Sequence, residues 1–182
     1  MLRTKTITKN MKDFNLFKNL FLTAFPKSEQ VPMGVLLSNA KSDKVSFDAY
    51  YDGNIFVGFT YTLTYEDLTY LFYLAIRSDI RSKGYGTQIL SHIKKTYPNQ
   101  RLVLNCDAED ETAADNEVRK KRKDFYFKNG YSNMGFTCKM NGNHFEILTH
   151  SCDVTPEEFQ MIFKKFWGRI LFTFFKPKII KK

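Results

Sequence analysis

Cysteine and histidine are scarce in the sequence. The three cysteines, Cys106, Cys138 and Cys152, show no CxxC spacing and lie beside no paired histidines. This usage predicts neither a disulfide framework nor a metal site, because both need several partners at regular spacing. Unpaired thiols persist in a reducing compartment, so we expect a cytoplasmic protein.

Long hydrophobic runs are missing as well. No stretch approaches the ~18 uninterrupted apolar residues of a membrane-spanning helix. The first five residues, MLRTK, carry charge but precede no apolar segment of a secretion signal. Repeats and low-complexity linkers are also absent, and a chain of 182 residues can bury one core. We therefore predict one domain over residues 1–182.

Aromatic residues and positive charge are abundant. Hydrophobic residues make up 43% of the chain and aromatic residues 16%, which is enough apolar material to offset the entropy lost on ordering. The formal net charge of +9 attracts polyanions in general, whether nucleic acid, anionic lipid or a phosphorylated cofactor. Basic residues cluster at 119–123 and 164–182 without forming one stripe interleaved with exposed stacking residues, so we expect no nucleic-acid partner.

Hydrophobic periodicity predicts helices and strands in the order ααβββαβαββα. The predicted helices cover residues 11–25, 33–39, 84–97 and 116–129. A last helix begins at the capping box Thr155-Pro156-Glu157-Glu158 and has one apolar face, formed by Phe159, Ile162, Phe163, Phe166 and Ile170. The predicted strands cover residues 45–51, 55–64, 69–76, 101–106, 131–140 and 144–150. One strand–helix–strand crossover among antiparallel strands indicates an α/β (α+β) fold, a mixed, mostly antiparallel sheet flanked by helices.

The run from Leu74 to Thr87 joins a buried strand to the start of a helix. Its two glycines, Gly84 and Gly86, stand one residue apart and let the backbone come close to a ligand. The free N–H groups of a helix N-terminus suit a pyrophosphate, and Arg81 and Lys83 add positive charge there. A tight turn that merely needs glycine explains these two residues equally well.

The segment RSKGYG, residues 81–86, resembles the Arg/Gln-x-x-Gly-x-Gly/Ala signature of the GCN5-related N-acetyltransferase (GNAT) family. A second segment, RKDFYFKNGY at residues 122–131, resembles the Phe-Tyr-x-x-Asn-Gly-Phe helix end of the same family. The resemblance covers residues 45–150 and implies the acyl-CoA N-acyltransferase fold, with the helices of residues 1–40 on the substrate side. Many members have an asparagine where this chain has Arg119, so side-chain contacts from this helix to the cofactor are not carried over.

The resemblance implies that the chain moves an acetyl group from acetyl-CoA, its co-substrate, directly to a primary amine. In the family, the strand before the signature splays from its neighbour and offers backbone groups to the pantetheine arm, and loop amides hold the pyrophosphate. The corresponding cofactor-binding positions are Leu74, Ala75 and Ile76 on the strand and Arg81, Ser82, Lys83, Gly84, Tyr85, Gly86 and Thr87 in the loop.

Tyr126 and Asp107 are the candidate catalytic residues. The resemblance places Tyr126 near the cofactor sulfur, where a phenol can protonate a departing thiolate whose conjugate acid titrates near ~8.5. From the residues alone, a core aromatic beside Phe125 is the stronger interpretation of Tyr126. Asp107, with Glu109 nearby, is a candidate general base, although water can also take the proton from an ammonium. A backbone N–H at Ile76 is expected to polarise the thioester carbonyl.

The sequence also fits other functions. A non-catalytic module of the same fold would dock a partner through its basic surface, although the intact Gly84, Gly86 and Tyr126 favour an enzyme. Residues 155–182, a predicted helix and tail, mix aromatic and basic side chains. They fit either a helix and final strand packed on the core or a basic amphipathic element on an anionic membrane or a second subunit. The acceptor, a small-molecule or peptide amine, and the choice between monomer and homodimer stay open too.

Overall fold

The structure, a computed structural model, describes residues 2–181, and for residues 169–171, 174 and 181 it describes the backbone alone. Five α-helices lie within that range: α1 (Phe14–Ala24), α2 (Met33–Asn39), α3 (Tyr85–Thr96), α4 (Asn116–Lys128) and α5 (Pro156–Phe175). The same range holds eight strands: β1 (Arg3–Thr6), β2 (Val45–Asp52), β3 (Ile55–Tyr65), β4 (Leu68–Ile76), β5 (Arg101–Asp107), β6 (Tyr131–Met140), β7 (Asn143–His150) and β8 (Lys178–Lys181). The strands are mostly antiparallel and the helices flank them, which confirms the predicted fold class.

The chain divides into two compact units. The first consists of Met1–Thr64 and Leu71–Pro98, and the second of Tyr65–Tyr70 and Asn99–Lys182. Strands of the first unit lie in the order β1-β2-β3-β4, and those of the second in the order β5-β7-β6-β8. The single domain over residues 1–182 stays a prediction.

Aromatic rings fill the core of the first unit. On α1, Phe17 and Phe21 are one turn apart and point to the sheet, because residues four apart share a helix face. The Phe17 ring meets Phe47 of β2 and Phe59 of β3 edge-on, with centroids 5.2 and 4.9 Å away. Edge-to-face pairs of this kind add about 0.5–1.5 kcal/mol each to the free energy of burial.

The second unit is built on α5 and the sheet that α5 covers. The predicted capping box is confirmed: the Thr155 hydroxyl accepts from the Glu158 amide, and the Glu158 carboxylate accepts from the Thr155 amide. The predicted apolar face is buried at Phe159, Ile162, Phe163 and Phe166. The side chain of Ile170 lies outside the described residues. The helix kinks at Gly168, whose φ is 68°.

The short strand β1 is not apparent from the sequence pattern. All four residues of β1 are exposed, so the segment lacks the alternation of apolar and polar residues that indicates a strand. It pairs with β2 in antiparallel register, and the Lys5 ammonium lies over the Tyr51 ring, 5.3 Å from its centroid. The predicted final strand is confirmed as β8, which follows α5 and pairs with β6. None of the described helices has the length and apolar character needed to cross a membrane.

Candidate active site

The loop between β4 and α3 has a backbone shape that few residues can adopt. Gly84 precedes the first turn of α3 with a φ of 76°, in the left-handed region that favours glycine. Ser82 also has a positive φ, 63°, which costs a residue with a Cβ about 1–2 kcal/mol. A Cβ built on Gly84 would meet nothing within 4 Å, so the space in front of the turn is open. No side chain caps the helix, and its first N–H groups are therefore available to an anionic ligand.

Side-chain hydrogen bonds hold this loop in place. The Tyr85 hydroxyl donates to Asp52, at the end of β2, over 2.8 Å. The Arg81 guanidinium donates to the carbonyl of Ile76, at the end of β4, over 3.3 Å. Both contacts support the loop from within the first unit, through the Tyr85 hydroxyl and the Nε of Arg81. Asp52 was not predicted from the sequence, because it precedes Tyr85 by 33 residues and no local pattern links the two.

All ten predicted cofactor-binding residues lie in the first unit, on β4, in the loop and in the first turn of α3. Five of them are exposed: Arg81, Ser82, Lys83, Gly84 and Thr87. Three are partly buried, Leu74, Ile76 and Tyr85, and two are buried, Ala75 and Gly86. Open backbone beside exposed cations is an environment that suits a phosphate group, so the fit to a pyrophosphate is good.

The end of β4 is fixed by a close approach of β3. The register between β2 and β3 shifts at Tyr50 and Tyr51, which leaves Val57 without a partner on β2. The Val57 carbonyl accepts instead from the Arg77 amide, at 3.0 Å. The next residue is Gly58. A Cβ at this position would lie less than 3.0 Å from the Ala75 carbonyl oxygen, which is closer than Cβ atoms approach other atoms in proteins. Only glycine therefore allows the two strands to lie this close at Ala75.

Tyr126 lies near the end of α4 with its ring buried and 8% of its surface exposed. The ring packs against Phe125 and Tyr131, at centroid distances of 5.2 and 5.8 Å. No hydrogen bond joins its hydroxyl to any residue that the structure describes, whereas every fully buried side-chain oxygen or nitrogen among those residues has one. The hydroxyl is therefore not completely buried. Burial raises the pKa of Tyr126 above its usual range, the Cys106 thiol adds to the rise, and the phenol stays protonated at neutral pH.

Both acidic residues considered as the general base are paired with cations of α4. Asp107, the last residue of β5, forms an ion pair with Arg122, and its side chain is 15% exposed. Glu109 forms an ion pair with Lys123 over 3.0 Å, which lowers the pKa of Glu109. Each carboxylate therefore helps to hold α4 in place, whether or not it also accepts a proton.

The position that departs from the family pattern, Arg119, is also engaged in the second unit. Its guanidinium donates to Asp115, four residues earlier on the chain, over 2.9 Å, and to the carbonyl of Ala108 over 3.0 Å. The side chain thus secures the start of α4 to the segment that follows β5. Both contacts are made within the protein, so they give no reason to assign Arg119 a contact with the cofactor.

Comparison with known proteins places these features in context. The model of the acetyltransferase (GNAT) family matches residues 14–122. A protein from Bacteroides thetaiotaomicron, described as an acetyltransferase of the GNAT family, is 18% identical, with a TM-score of 0.71 over 92% of this chain and 97% of its own. No curated protein sequence matches the chain.

Two further solved structures have the same fold. An aminoglycoside 6'-N-acetyltransferase in complex with coenzyme A is 17% identical, with a TM-score of 0.65 over 85% of this chain and 99% of its own. The ribosomal-protein-S18-alanine N-acetyltransferase from Escherichia coli is also 17% identical, with a TM-score of 0.60 over 86% of this chain and 97% of its own. At these identities, the likeness is one of fold.

Proposed function

Because the chain belongs to the acetyltransferase (GNAT) family, we propose that it is an N-acetyltransferase that moves an acetyl group from acetyl-CoA directly to a primary amine. The observation that carries this proposal is the uncapped start of α3 behind Gly84, which offers free N–H groups to an anion. The complex of the related aminoglycoside enzyme with coenzyme A supports acetyl-CoA as the co-substrate. When bound, acetyl-CoA supplies the activated acyl group.

In this proposal, the first unit holds the co-substrate. The amides of residues 82–87 and the ammonium of Lys83 bind the pyrophosphate, and the backbone of Leu74, Ala75 and Ile76 binds the pantetheine arm. The N–H of Ile76 polarises the thioester carbonyl, since a fixed dipole stabilises the negative charge that develops on that oxygen. The bond between Tyr85 and Asp52 keeps the loop in its binding conformation.

The second unit supplies the proton transfers. Tyr126 donates a proton to the departing thiolate, and its raised pKa keeps the phenol in the acid form that this role needs. Asp107 accepts the proton of the acceptor ammonium. The acceptor is a small-molecule or peptide amine, and the two related acetyltransferases act on an aminoglycoside and on an alanine of a ribosomal protein. We also propose a cytoplasmic location, which the three free thiols support.

Calorimetric titration of the purified protein with acetyl-CoA tests the proposal. We expect wild type to bind it, and Tyr85→Phe to bind it about fivefold more weakly, because the loop loses a hydrogen bond worth about 1 kcal/mol. Tyr97→Phe is the matched control, since it removes the same group from the other end of α3, where the hydroxyl bonds Thr62. A folded wild-type protein that does not bind acetyl-CoA would contradict the proposed function.

Replacement of Asp107 by asparagine tests the proposed base. We expect kcat to fall about tenfold at neutral pH, less than the ~10²–10⁴-fold typical of general catalysis, because water also accepts the proton. The loss should shrink as the pH approaches the pKa of the amine, where the acceptor is neutral without help. Arg122→Gln is the control, because it breaks the same ion pair but keeps the carboxylate. Equal losses in the two variants would assign Asp107 a structural role instead.

A further inference from the structure

Glu146, in the middle of β7, is a buried carboxylate that the proposed reaction does not use. Only 6% of its surface is exposed. It accepts hydrogen bonds from the Lys123 ammonium, over 3.0 Å, and from the side-chain amide of Asn133. Removing a charge pair from water costs free energy, and a well-packed apolar pair is often as stable. Stability alone is therefore a weak explanation for this ion pair.

The ion pair lies one helical turn from the proposed acid. Lys123 and Tyr126 are three residues apart on α4 and so share a face of the helix. Glu146 stands directly opposite Cys106 across the β5–β7 ladder. After burial, the Cys106 thiol is the next largest cause of the raised pKa of Tyr126. The contact between Lys123 and Glu146 thus joins α4 to the sheet beside Tyr126.

An irregularity in β6 completes the surroundings of Glu146. The register between β6 and β7 shifts between Asn133 and Thr137. Within it, the Asn133 side-chain oxygen accepts from the amide of Gly135, whose φ is 76°, over 2.8 Å. The Asn133 side chain is held by this turn while its NH2 group donates to Glu146. The carboxylate is therefore fixed from two sides, by α4 and by β6.

Tyr126 depends on such an anchor because its own hydroxyl bonds to none of the described residues. Ring packing limits where the phenol lies, but the placement of α4 sets its height above the sheet. Glu109, the other carboxylate that pairs with Lys123, has 40% side-chain exposure, and exposed pairs hold geometry weakly. A second tie of α4 to the sheet is the pair of Arg122 with Asp107, whose side chain is 15% exposed. Glu146, at 8% side-chain exposure, is the buried end of the Lys123 contacts.

We propose that Glu146, acting through Lys123, is a positioning residue for Tyr126. The pair fixes α4 against β7 so that the phenol stays where it can protonate the leaving thiolate. This inference rests on the proposed function and assigns Glu146 no contact with either substrate.

A double-mutant cycle on Glu146→Gln and Tyr126→Phe tests the inference. Turnover is followed as loss of the acetyl-CoA thioester absorbance, with a polyamine, an aminoglycoside and an alanine-terminated peptide as acceptors. We expect Glu146→Gln to lower kcat about tenfold, since a misplacement of about 1 Å can cost up to ~100-fold. Acetyl-CoA affinity should not change. In protein that already carries Tyr126→Phe, Glu146→Gln should not lower kcat further, because the proposed effect of Glu146 on kcat requires the Tyr126 hydroxyl.

Glu117→Gln is the matched control, since it removes the exposed carboxylate that pairs with Lys120 on the same helix, and it should change kcat less than twofold. A second readout needs no acceptor: in protein with 13C-labelled tyrosine, Glu146→Gln should move the Tyr126 ring signal, assigned by its absence from Tyr126→Phe. Glu117→Gln should leave that signal in place.

Three results would overturn the inference: equal losses from Glu146→Gln in both backgrounds, a weaker affinity for acetyl-CoA, or an unmoved ring signal. Acetyl-CoA binding by wild type is measured separately. If wild type binds acetyl-CoA but one of these three results is found, the inference on Glu146 fails while the proposed function stands. If Glu146→Gln does not fold, the apolar replacement Lys123→Met with Glu146→Leu removes the pair without leaving a lone charge. It should give the same loss of kcat, and full activity in that variant would contradict the role.

Discussion

Tyr126→Phe is expected to lower kcat by at least about 100-fold, since a positioned general acid contributes ~10²–10⁴-fold. The variant should unfold at nearly the same temperature as wild type, because the hydroxyl that it removes bonds to none of the described residues. Its affinity for acetyl-CoA should also be unchanged. A loss confined to kcat is therefore the expected signature.

The pH dependence sharpens this prediction. Burial raises the pKa of Tyr126, so the phenol loses its proton only above the usual range of tyrosine. Raising the pH from about 7 to about 9 should therefore leave the difference between wild type and Tyr126→Phe intact. Tyr131→Phe, which removes a hydroxyl from the neighbouring ring, serves as the control. Comparable kcat values for Tyr126→Phe and wild type would refute the assignment of Tyr126 as the acid.

Gly58→Ala is expected to impair both stability and turnover. The added methyl group would overlap the Ala75 carbonyl oxygen and lie 3.1 Å from the Cα of Ile76. Because both neighbours are backbone, the end of β4 must move, at a cost of about 1–3 kcal/mol in the free energy of unfolding. The proposed donor at Ile76 moves with it, so kcat should fall by up to about 100-fold.

Gly34→Ala provides the matched control for this substitution. It places the same methyl group in α2, where a Cβ would meet nothing within 4 Å, and alanine favours a helix over glycine by about 0.5–1 kcal/mol. Urea unfolding and kcat, measured side by side, separate the two variants. If Gly58→Ala matched wild type in both, Ile76 would not be the donor that polarises the carbonyl.

Local patterns predicted most of the fold. The bounds of α2 and β6 agree with those predicted from periodicity, and the capping box at Thr155 fixed the start of α5. α1 begins at Phe14 rather than at residue 11, because a turn precedes it, in which the amide of Phe14 bonds the carbonyl of Met11. Hydrophobic periodicity does not distinguish such a turn from the first turn of the helix.

The candidate site was less accessible from the sequence. The glycine at position 84 could be identified because a positive φ restricts the residue type. The partners that hold the site are far away along the chain: Arg122 follows Asp107 by 15 residues and Asp52 precedes Tyr85 by 33. Glu146 did leave a signal, a carboxylate between the apolar residues Phe145 and Ile147, but its partner Lys123 looks like any other cation of a basic helix.

The exposed strand β1 has a consequence for how copies of this chain meet one another. A strand at the edge of a sheet offers unpaired backbone groups to any second sheet that approaches it. Here that edge carries Arg3 and Lys5, so two copies joined through β1 would bring like charges face to face. The charges on this short, polar strand thus oppose the association of two copies through the β1 edge.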